Sequence, residues 1–236
     1  MNIVLFEREE VGKPLARSDD RAKHILEVLR RREGDDFDAG AIDGLRGKAR
    51  VMSIGPESIE LAFDLRHEEP PLHPIDLIVG LSRPQTNRKI LQEATSLGVR
   101  SLSFVTTERG EPSYATSKLW TSGEWRRHVV SGVVQAFTTR MPTVSYGISL
   151  DAALEACCRA KTKIALDNYE ADIALGDVGL SENPIALALG SERGWTANER
   201  NTLRDCEYML AHLGSRPLRT ETAVVAGIAL LLRGMV

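Results

Sequence analysis

The first 70 residues show short runs of apolar and polar residues that are typical of β-strands. The pattern predicts strands at Ile3–Phe6, Asp36–Ala39, Gly47–Ile54 and Ser58–Leu65. One helix interrupts them: Ser18 is a favourable N-cap, and the helix should carry Arg30–Arg32 and end before Gly34. Its apolar residues recur at a helical period, at Ala22, Ile25, Leu26 and Leu29. A single helix among short strands predicts a small β-barrel.

A charged segment with three prolines, His67–Pro74, divides the chain. Proline breaks helices and interrupts central strands, so neither element should continue through this segment. We therefore expect a first domain over residues 1–70 and a second over residues 74–236.

After Pro74 the apolar pattern changes to alternating strands and helices. The predicted strands are Ile75–Leu81, Leu102–Thr106, Lys163–Asp167, Pro184–Leu189 and Tyr208–Leu213. The predicted helices are Thr86–Leu97, Leu119–Phe137, Thr196–Cys206 and Thr220–Arg233. Apolar strands that alternate with helices indicate a parallel α/β sheet, and the pattern alone suggests a doubly wound one.

Composition excludes several classes of protein. The net charge of −3 lacks the excess of basic residues expected of a protein that coats nucleic acid, so RNA contacts would come from local clusters such as Arg30–Arg32 and Arg46–Arg50. These clusters are also consistent with ordinary solvated surface. The three cysteines and five histidines have no metal-ligand spacing, which predicts no metal site and a reducing compartment.

Neither end of the chain resembles a targeting or membrane segment. Charged residues follow Met1–Phe6 at once, and the longest apolar run, Thr222–Leu232, is much shorter than the roughly 20 residues of a membrane span. We expect a cytoplasmic protein with no membrane partner. The last helix is apolar nearly all round and is interpreted as a core helix or a dimer interface.

Two glycine-containing loops follow predicted strands, at Gly190–Trp195 and Gly214–Thr222. Ligands of open α/β sheets bind at the carboxyl ends of strands, and glycine lets a ligand approach the backbone. Each loop alone is equally consistent with a tight turn. The chain has no dinucleotide-binding glycine motif, no phosphate-binding lysine loop and no nucleophile elbow, which disfavours the corresponding enzymes.

Six segments together resemble a known family over essentially the whole chain. They are His24–Arg30, Arg88–Val99, Thr107–Arg109, Gln135 with Arg140–Pro142, Leu189–Trp195 with Glu199, and Leu213–Ala223. In their sequence and order they resemble the RsmE family of small-subunit ribosomal RNA uridine-N3 methyltransferases, which belongs to the knotted SPOUT superfamily. The chain departs from that family at Ser191 and Arg193, where proline and glycine are usual, and at Val134, where glutamate is usual. The family's early arginine has only a loose match, Arg8.

The resemblance implies a fold and a cofactor. It implies a C-terminal α/β-knot domain with a deep trefoil knot, a smaller N-terminal PUA-like β-barrel that binds RNA, and a homodimer. The implied cofactor is S-adenosyl-L-methionine, with its adenine held mainly by backbone atoms. The implied cofactor-binding residues are Leu166, Leu189, Gly190, Ser191, Glu192, Gly194, Leu213, Gly214, Arg216 and Leu218.

The implied reaction requires uridine N3 to lose its proton and negative charge to be stabilised on the flanking carbonyl oxygens. A guanidinium suits the second task, so Arg219 and Arg109 are candidate catalytic residues. Glu221 is a third: it would orient Arg219 or accept a proton, unless it is only a favourable acid at a helix N-terminus. The candidate RNA-binding residues are His24, Arg30, Arg31, Arg32, Arg88, Gln135 and Arg140.

Two other functions remain open at this point. One is another SPOUT enzyme that methylates a ribose 2′-hydroxyl or a tRNA base. The other is a non-catalytic RNA-binding factor of ribosome assembly. On the favoured interpretation the partner is small-subunit ribosomal RNA, free or in the assembled subunit.

Overall fold

The computed structural model describes residues 3–179 and 183–235. The chain divides into two compact units: Met1–Pro71 with Val133–Met141, and Leu72–Gly132 with Pro142–Val236. The first division, between Pro71 and Leu72, lies within the proline-containing segment His67–Pro74. Residues 133–141 belong to the first unit, although the sequence analysis does not group them with the first domain.

The first unit contains a small, mostly antiparallel sheet. Its strands are β1 (Val4–Phe6), β2 (Leu15–Ala16), β3 (Asp36–Ala41), β4 (Arg46–Ile54) and β5 (Ser58–His67), in the order β1-β3-β4-β5-β2. Strands β1 and β3 are parallel, and the other pairs are antiparallel. Phe6, Phe37, Val51 and Ile59 are buried on its inner side, so the predicted alternation of apolar residues forms the core of this unit.

The helix of the first unit differs from the prediction. It comprises α1 (Asp20–Lys23) and a π-helical turn at His24–Val28, and its N-cap is Asp19, not Ser18. Asp19 Oδ1 accepts a hydrogen bond from the Arg21 amide at 2.8 Å. The helix ends at Leu29 and Arg30 has a φ of +53°, so the prediction that the helix carries Arg30–Arg32 is wrong. The three arginines follow the helix and are exposed.

The second unit contains a seven-stranded sheet in which every pairing is parallel. The strands are β6 (His73–Gly80), β7 (Val99–Thr106), β8 (Thr143–Ser149), β9 (Thr162–Leu166), β10 (Ile173–Ala174), β11 (Ile185–Leu189) and β12 (Met209–His212), in the order β10-β12-β9-β11-β6-β7-β8. This confirms the predicted α/β class with a parallel sheet.

Helices cover both faces of the sheet. They are α2 (Pro84–Ser96), α3 (Lys118–Thr121), α4 (Trp125–Gln135), α5 (Leu150–Ala156), α6 (Ala197–Asp205) and α7 (Thr220–Arg233), with single 3₁₀ turns at Pro112–Tyr114 and Leu175–Asp177. A further 3₁₀ turn, Arg8–Glu10, lies in the first unit. Leu154 of α5 and Leu203 of α6 pack with Ala186 on one face. On the other face α2 and α7 pack together, and Gly227 of α7 lies against Leu187.

Three differences from the predicted elements have local causes. The helix predicted over Leu119–Phe137 is interrupted because Gly123 has a φ of +76°, outside the helical region. Strand β6 begins inside the predicted linker, and Pro74 is accommodated at a register shift in its pairing with β7. Strand β8 was not predicted because it is a partly exposed edge strand without a clear apolar pattern.

Polar contacts attach residues 133–141 to the rest of the first unit. The buried Glu69 side chain accepts hydrogen bonds from Arg46 Nε at 2.6 Å and Thr138 Oγ1 at 2.7 Å. Thr139 Oγ1 donates to the Gly44 carbonyl at 2.7 Å. The Arg46 guanidinium also lies 4.9 Å from the centre of the Phe137 ring. The first unit therefore depends on a segment that is distant in sequence.

We expect Arg46→Met to destabilise the full chain by about 3 kcal/mol, because it leaves the Glu69 carboxylate buried without its cation. Urea-induced unfolding measures the change. Arg50→Met is the matched control, since the Arg50–Asp36 pair is exposed on the same strand, and it should leave the midpoint nearly unchanged. Equal shifts of the two midpoints would contradict a structural role for the Glu69 contacts.

Candidate active site

A cleft of about 1180 Å³ lies at the carboxyl edge of the second unit's sheet. Four neighbouring strands, β12, β9, β11 and β6, end there, and the loops after them line the cleft. Because the strands are parallel, their carboxyl ends meet at one edge, which is where open α/β sheets bind ligands. The cleft is therefore the primary candidate for a binding site.

The loop after β11 packs backbone against backbone on the end of β6. A Cβ atom at Gly80 would lie 2.9 Å from the Gly190 carbonyl carbon and still closer to the Ser191 nitrogen. A Cβ at Gly190 would lie 2.9 Å from the carbonyl carbon of Gly194. These approaches leave no space for larger residues, so Gly80 and Gly190 determine where the loop sits. Ser191 is buried in this contact, and its hydroxyl has no hydrogen-bond partner among the described residues.

The loop after β9 is held by a buried ion pair. Arg200 Nε and Asp167 Oδ2 are 2.8 Å apart, and both side chains are at least nine-tenths buried. The Trp195 ring nitrogen donates to the Leu166 carbonyl at 3.1 Å, which ties this loop to the loop after β11. The sequence analysis did not identify Asp167 or Arg200, since an acid and an arginine 33 positions apart form no recognisable motif.

The loop after β7 brings Arg109 to the cleft. Glu199 is buried and accepts hydrogen bonds from the backbone amides of Glu108 and Thr196, each at 2.8 Å, so α6 fixes this loop. Arg109 Nη1 donates to the Arg193 carbonyl at 3.4 Å, and Arg193 Nη1 donates to the Arg109 carbonyl at 3.5 Å. Arg193, a departure from the family's usual glycine, thus bridges two loops.

The N-terminus of α7 presents a second arginine. Arg219 is the N-cap residue of α7, and Glu221 lies in the first turn. Glu221 Oε1 contacts Lys89 Nζ at 3.1 Å, whereas the Arg219 guanidinium forms no hydrogen bond or ion pair within the part of the chain that the structure describes. The predicted orientation of Arg219 by Glu221 is therefore not seen as a hydrogen bond. Lys89, which the sequence analysis missed, is the partner of Glu221.

The surroundings of Glu221 favour its ionised form. Burial alone would raise the pKa of the Glu221 carboxyl, but its own backbone amide, Lys89 and Arg219 together hold that pKa below its ordinary value. Glu221 therefore stays charged at neutral pH and is a weak proton acceptor.

Most of the predicted catalytic and cofactor-binding residues line the cleft. They are Leu166, Leu189, Gly190, Ser191, Glu192, Gly194, Leu213, Gly214, Leu218, Arg109, Arg219 and Glu221. Arg216 is exposed and is not among the residues that line it. Lys89, Arg83, Tyr169 and His212 line the cleft without having been predicted.

The predicted RNA-binding residues are distributed over both units. His24, Arg30, Arg31, Arg32, Gln135 and Arg140 belong to the first unit. Arg140 Nη2 donates to the Glu69 carbonyl at 3.1 Å, which gives it a structural contact. Arg88, in the second unit, pairs with Glu124 at 2.7 Å, and Arg88 and His128 lower the pKa of Glu124 to about 2. Arg88 is thus already engaged by a carboxylate.

Residues 3–179 and 183–235 contain no group of three or more histidine, cysteine, aspartate or glutamate side chains that could hold a metal ion. No helix within the same ranges has the length and apolar character needed to cross a membrane.

Comparison with known proteins defines first the class and then the family. A family model described as "RNA methyltransferase domain" matches residues 68–232. The chain is 35% identical over 98% of its length to "Ribosomal RNA small subunit methyltransferase E" of Treponema pallidum, and covers 91% of it. The chain therefore belongs to the ribosomal RNA small subunit methyltransferase E family, which confirms the resemblance seen in the sequence.

Solved structures agree with this assignment. The structure described as ribosomal RNA small subunit methyltransferase E from Neisseria gonorrhoeae bound to S-adenosyl methionine has a TM-score of 0.78 and 28% identity, covering 99% of this chain and 97% of that one. A methyltransferase structure from Legionella pneumophila has a TM-score of 0.81 at 21% identity, with coverage of 99% and 97%, which shows the same fold.

We expect Gly80→Ala to lower the free energy of unfolding by about 1–3 kcal/mol, since the added methyl group meets the backbone of Gly190 and Ser191. Gly176→Ala is the matched control, because a Cβ there meets no atom within 4 Å. Thermal and urea unfolding of both variants measure the difference. A Gly80→Ala protein as stable as the control would show that the loop after β11 does not depend on this contact.

Proposed function

We propose that this protein transfers a methyl group from S-adenosyl-L-methionine to N3 of a uridine in small-subunit (16S) ribosomal RNA. The observation that carries the proposal is the cleft at the ends of β11 and β12, in a chain that aligns end to end with a relative solved with bound S-adenosyl methionine. The loops after these two strands belong to two of the six segments that resemble the family, Leu189–Trp195 and Leu213–Ala223.

The residues of the cleft fit this cofactor. Gly214 has a φ of +106° and nothing within 4 Å of its Cβ position, so its backbone faces open space that a ligand can fill. Apolar side chains that line the same cleft suit an adenosine: Leu166, Leu189, Leu213 and Leu218. We infer that backbone atoms of Gly190, Leu213 and Leu218 hold the adenine.

The bound cofactor supplies an electrophilic methyl group on a sulfonium. Uridine N3 would take this methyl group as the carbon–sulfur bond breaks, S-adenosylhomocysteine would leave, and the N3 proton would pass to solvent. Arg219 stabilises the negative charge that develops on the uracil carbonyl oxygens, because its guanidinium stays protonated and forms no ion pair with a carboxylate in residues 3–179 and 183–235. Arg109 is a second guanidinium in the cleft with the same capacity.

Lys89 and Glu221 support Arg219 indirectly in this scheme. Lys89 engages the Glu221 carboxylate at 3.1 Å, so that carboxylate is not hydrogen-bonded to Arg219. The lowered pKa of Glu221 argues against a role as proton acceptor. We therefore propose that Lys89 and Glu221 position Arg219, and that Arg219 and Arg109 stabilise the negative charge on the uracil.

The finer features of the family are part of the same proposal. Loops after β9, β11 and β12 line one cleft and β12 pairs between β9 and β10, an arrangement that supports a trefoil knot in the second unit. The first unit, with its exposed Arg30–Arg32, is proposed as a PUA-like domain that binds RNA in the cytoplasm. The partly exposed apolar residues Val225, Ala229 and Leu230 of α7 support a homodimer.

We expect the wild-type protein to bind S-adenosylmethionine and S-adenosylhomocysteine in calorimetry and to melt at a higher temperature in their presence. Gly214→Val should abolish both effects by filling the space in front of the backbone. Gly123→Val is the matched control, because Gly123 also has a positive φ and open surroundings but does not line the cleft. Binding that survives in Gly214→Val, or that both variants lose alike, would contradict the assigned cofactor site.

We expect Arg219→Ala to lower the single-turnover methylation rate by about 10²-fold, the scale of removing one oxyanion donor. Cofactor affinity and melting temperature should change little, because Arg219 holds no other side chain. Arg233→Ala, at the exposed end of the same helix, serves as the control and should keep the wild-type rate. A parallel fall in affinity, stability and rate would instead indicate a structural role for Arg219.

A further inference from the structure

The most exposed large apolar side chain that borders the cleft is Tyr169, in the loop after β9. It is 76% exposed and lines the cleft together with Asn168 and Gly194. Neither the sequence analysis nor the proposed mechanism gives it a role.

Although the Tyr169 side chain is exposed, hydrogen bonds fix the backbone of its loop. Asp167 Oδ1 accepts hydrogen bonds from the amides of Tyr169 at 2.8 Å and Glu170 at 2.7 Å. Asp167 in turn pairs with buried Arg200, and Arg200 Nη1 lies 3.3 Å from Glu170 Oε1. The loop is therefore anchored to α6 on both sides of the tyrosine.

The ring of Tyr169 has the Arg200 guanidinium over one face and Gly194 beside one edge. The Arg200 guanidinium lies 5.4 Å from the ring centre on one side. A Cβ at Gly194 would lie 3.7 Å from Tyr169 Cε2, so the edge of the ring rests beside a residue with no side chain. The Tyr169 hydroxyl forms no hydrogen bond to any residue in the described ranges. Since three quarters of the residue is exposed, the face opposite Arg200 must be accessible.

We propose that Tyr169 is a stacking platform for a nucleobase at the edge of the cleft. Every nucleobase offers a flat π face, and a rigid aromatic ring binds it without the entropic cost of ordering a flexible side chain. The inference rests on the proposed function, which supplies two such bases: the adenine of the cofactor and a base of the substrate RNA. Both share the same chemistry, and separate binding measurements distinguish them.

The test compares three substitutions at this position. Tyr169→Ala removes the ring, Tyr169→Leu keeps apolar bulk without a π face, and Tyr169→Phe keeps the ring without the hydroxyl. Calorimetry with S-adenosylhomocysteine reports on the adenine, and filter binding of a small-subunit ribosomal RNA transcript reports on a substrate base. We expect the Ala and Leu variants to lose about tenfold in one of these affinities, the scale of one base–aromatic stack, and the Phe variant to stay within about twofold of wild type.

The outcomes separate the inference from the proposed function. A loss confined to S-adenosylhomocysteine identifies the cofactor's adenine as the stacked base, and a loss confined to the transcript identifies a substrate base. Wild-type affinities in both the Ala and the Leu variant, or an equal loss in the Phe variant, would overturn the stacking role while leaving the proposed function intact. A wild-type protein that bound neither probe would contradict the proposed function itself. Melting temperatures of the variants should match wild type, because the side chain is exposed.

Discussion

The parallel pairing of β6, β9, β11 and β12 is the constraint on which the rest of the site depends. Parallel hydrogen bonding places all four carboxyl ends at one edge of the sheet, so four loops that are far apart in sequence meet in one cleft. The backbone contact of Gly80 with Gly190 and Ser191 then sets the distance between two of these loops.

Ion pairs fix several charged side chains around the cleft, whereas the guanidinium of Arg219 is not part of such a pair in the described residues. Asp167 and Arg200 neutralise each other in a buried pair and anchor the loop after β9. Lys89 engages Glu221, and Arg219 is left without a carboxylate partner in the described chain. The cleft therefore contains paired charges that hold its walls and an unpaired guanidinium that can act on a ligand. An unpaired guanidinium can stabilise negative charge that develops on a substrate during a reaction.

The apolar pattern predicted much of the fold because the second sheet is buried on both faces. Strands β6, β9 and β11 carry nearly continuous apolar residues, and the helices between them have clear amphipathic periods. Strand β8 was not predicted because it lies at an edge of the sheet. The contacts of residues 133–141 with Glu69 and Gly44 were not predicted either, because they span large sequence separations. Contacts between residues so far apart in the sequence produce no local pattern that could be used to predict them.

The site was only partly predictable from sequence. The two glycine loops stand out as local motifs, and Arg109, Arg219 and Glu221, the candidate catalytic residues of the sequence analysis, all line the cleft. Lys89 and Tyr169 were missed, since an isolated lysine on a helix and an isolated tyrosine in a loop resemble ordinary surface residues. The roles proposed for them rest on what lies beside them in the fold.

Nucleoside analysis of the product tests the central claim most directly. Small-subunit ribosomal RNA from cells that lack this protein would be incubated with the purified protein and S-adenosylmethionine, free and as assembled subunits, then digested and analysed by mass spectrometry. The account predicts that N3-methyluridine appears and that an Arg219→Ala protein forms it far more slowly. Appearance of a 2′-O-methyl nucleoside instead, or of no methylated product with either substrate, would contradict it.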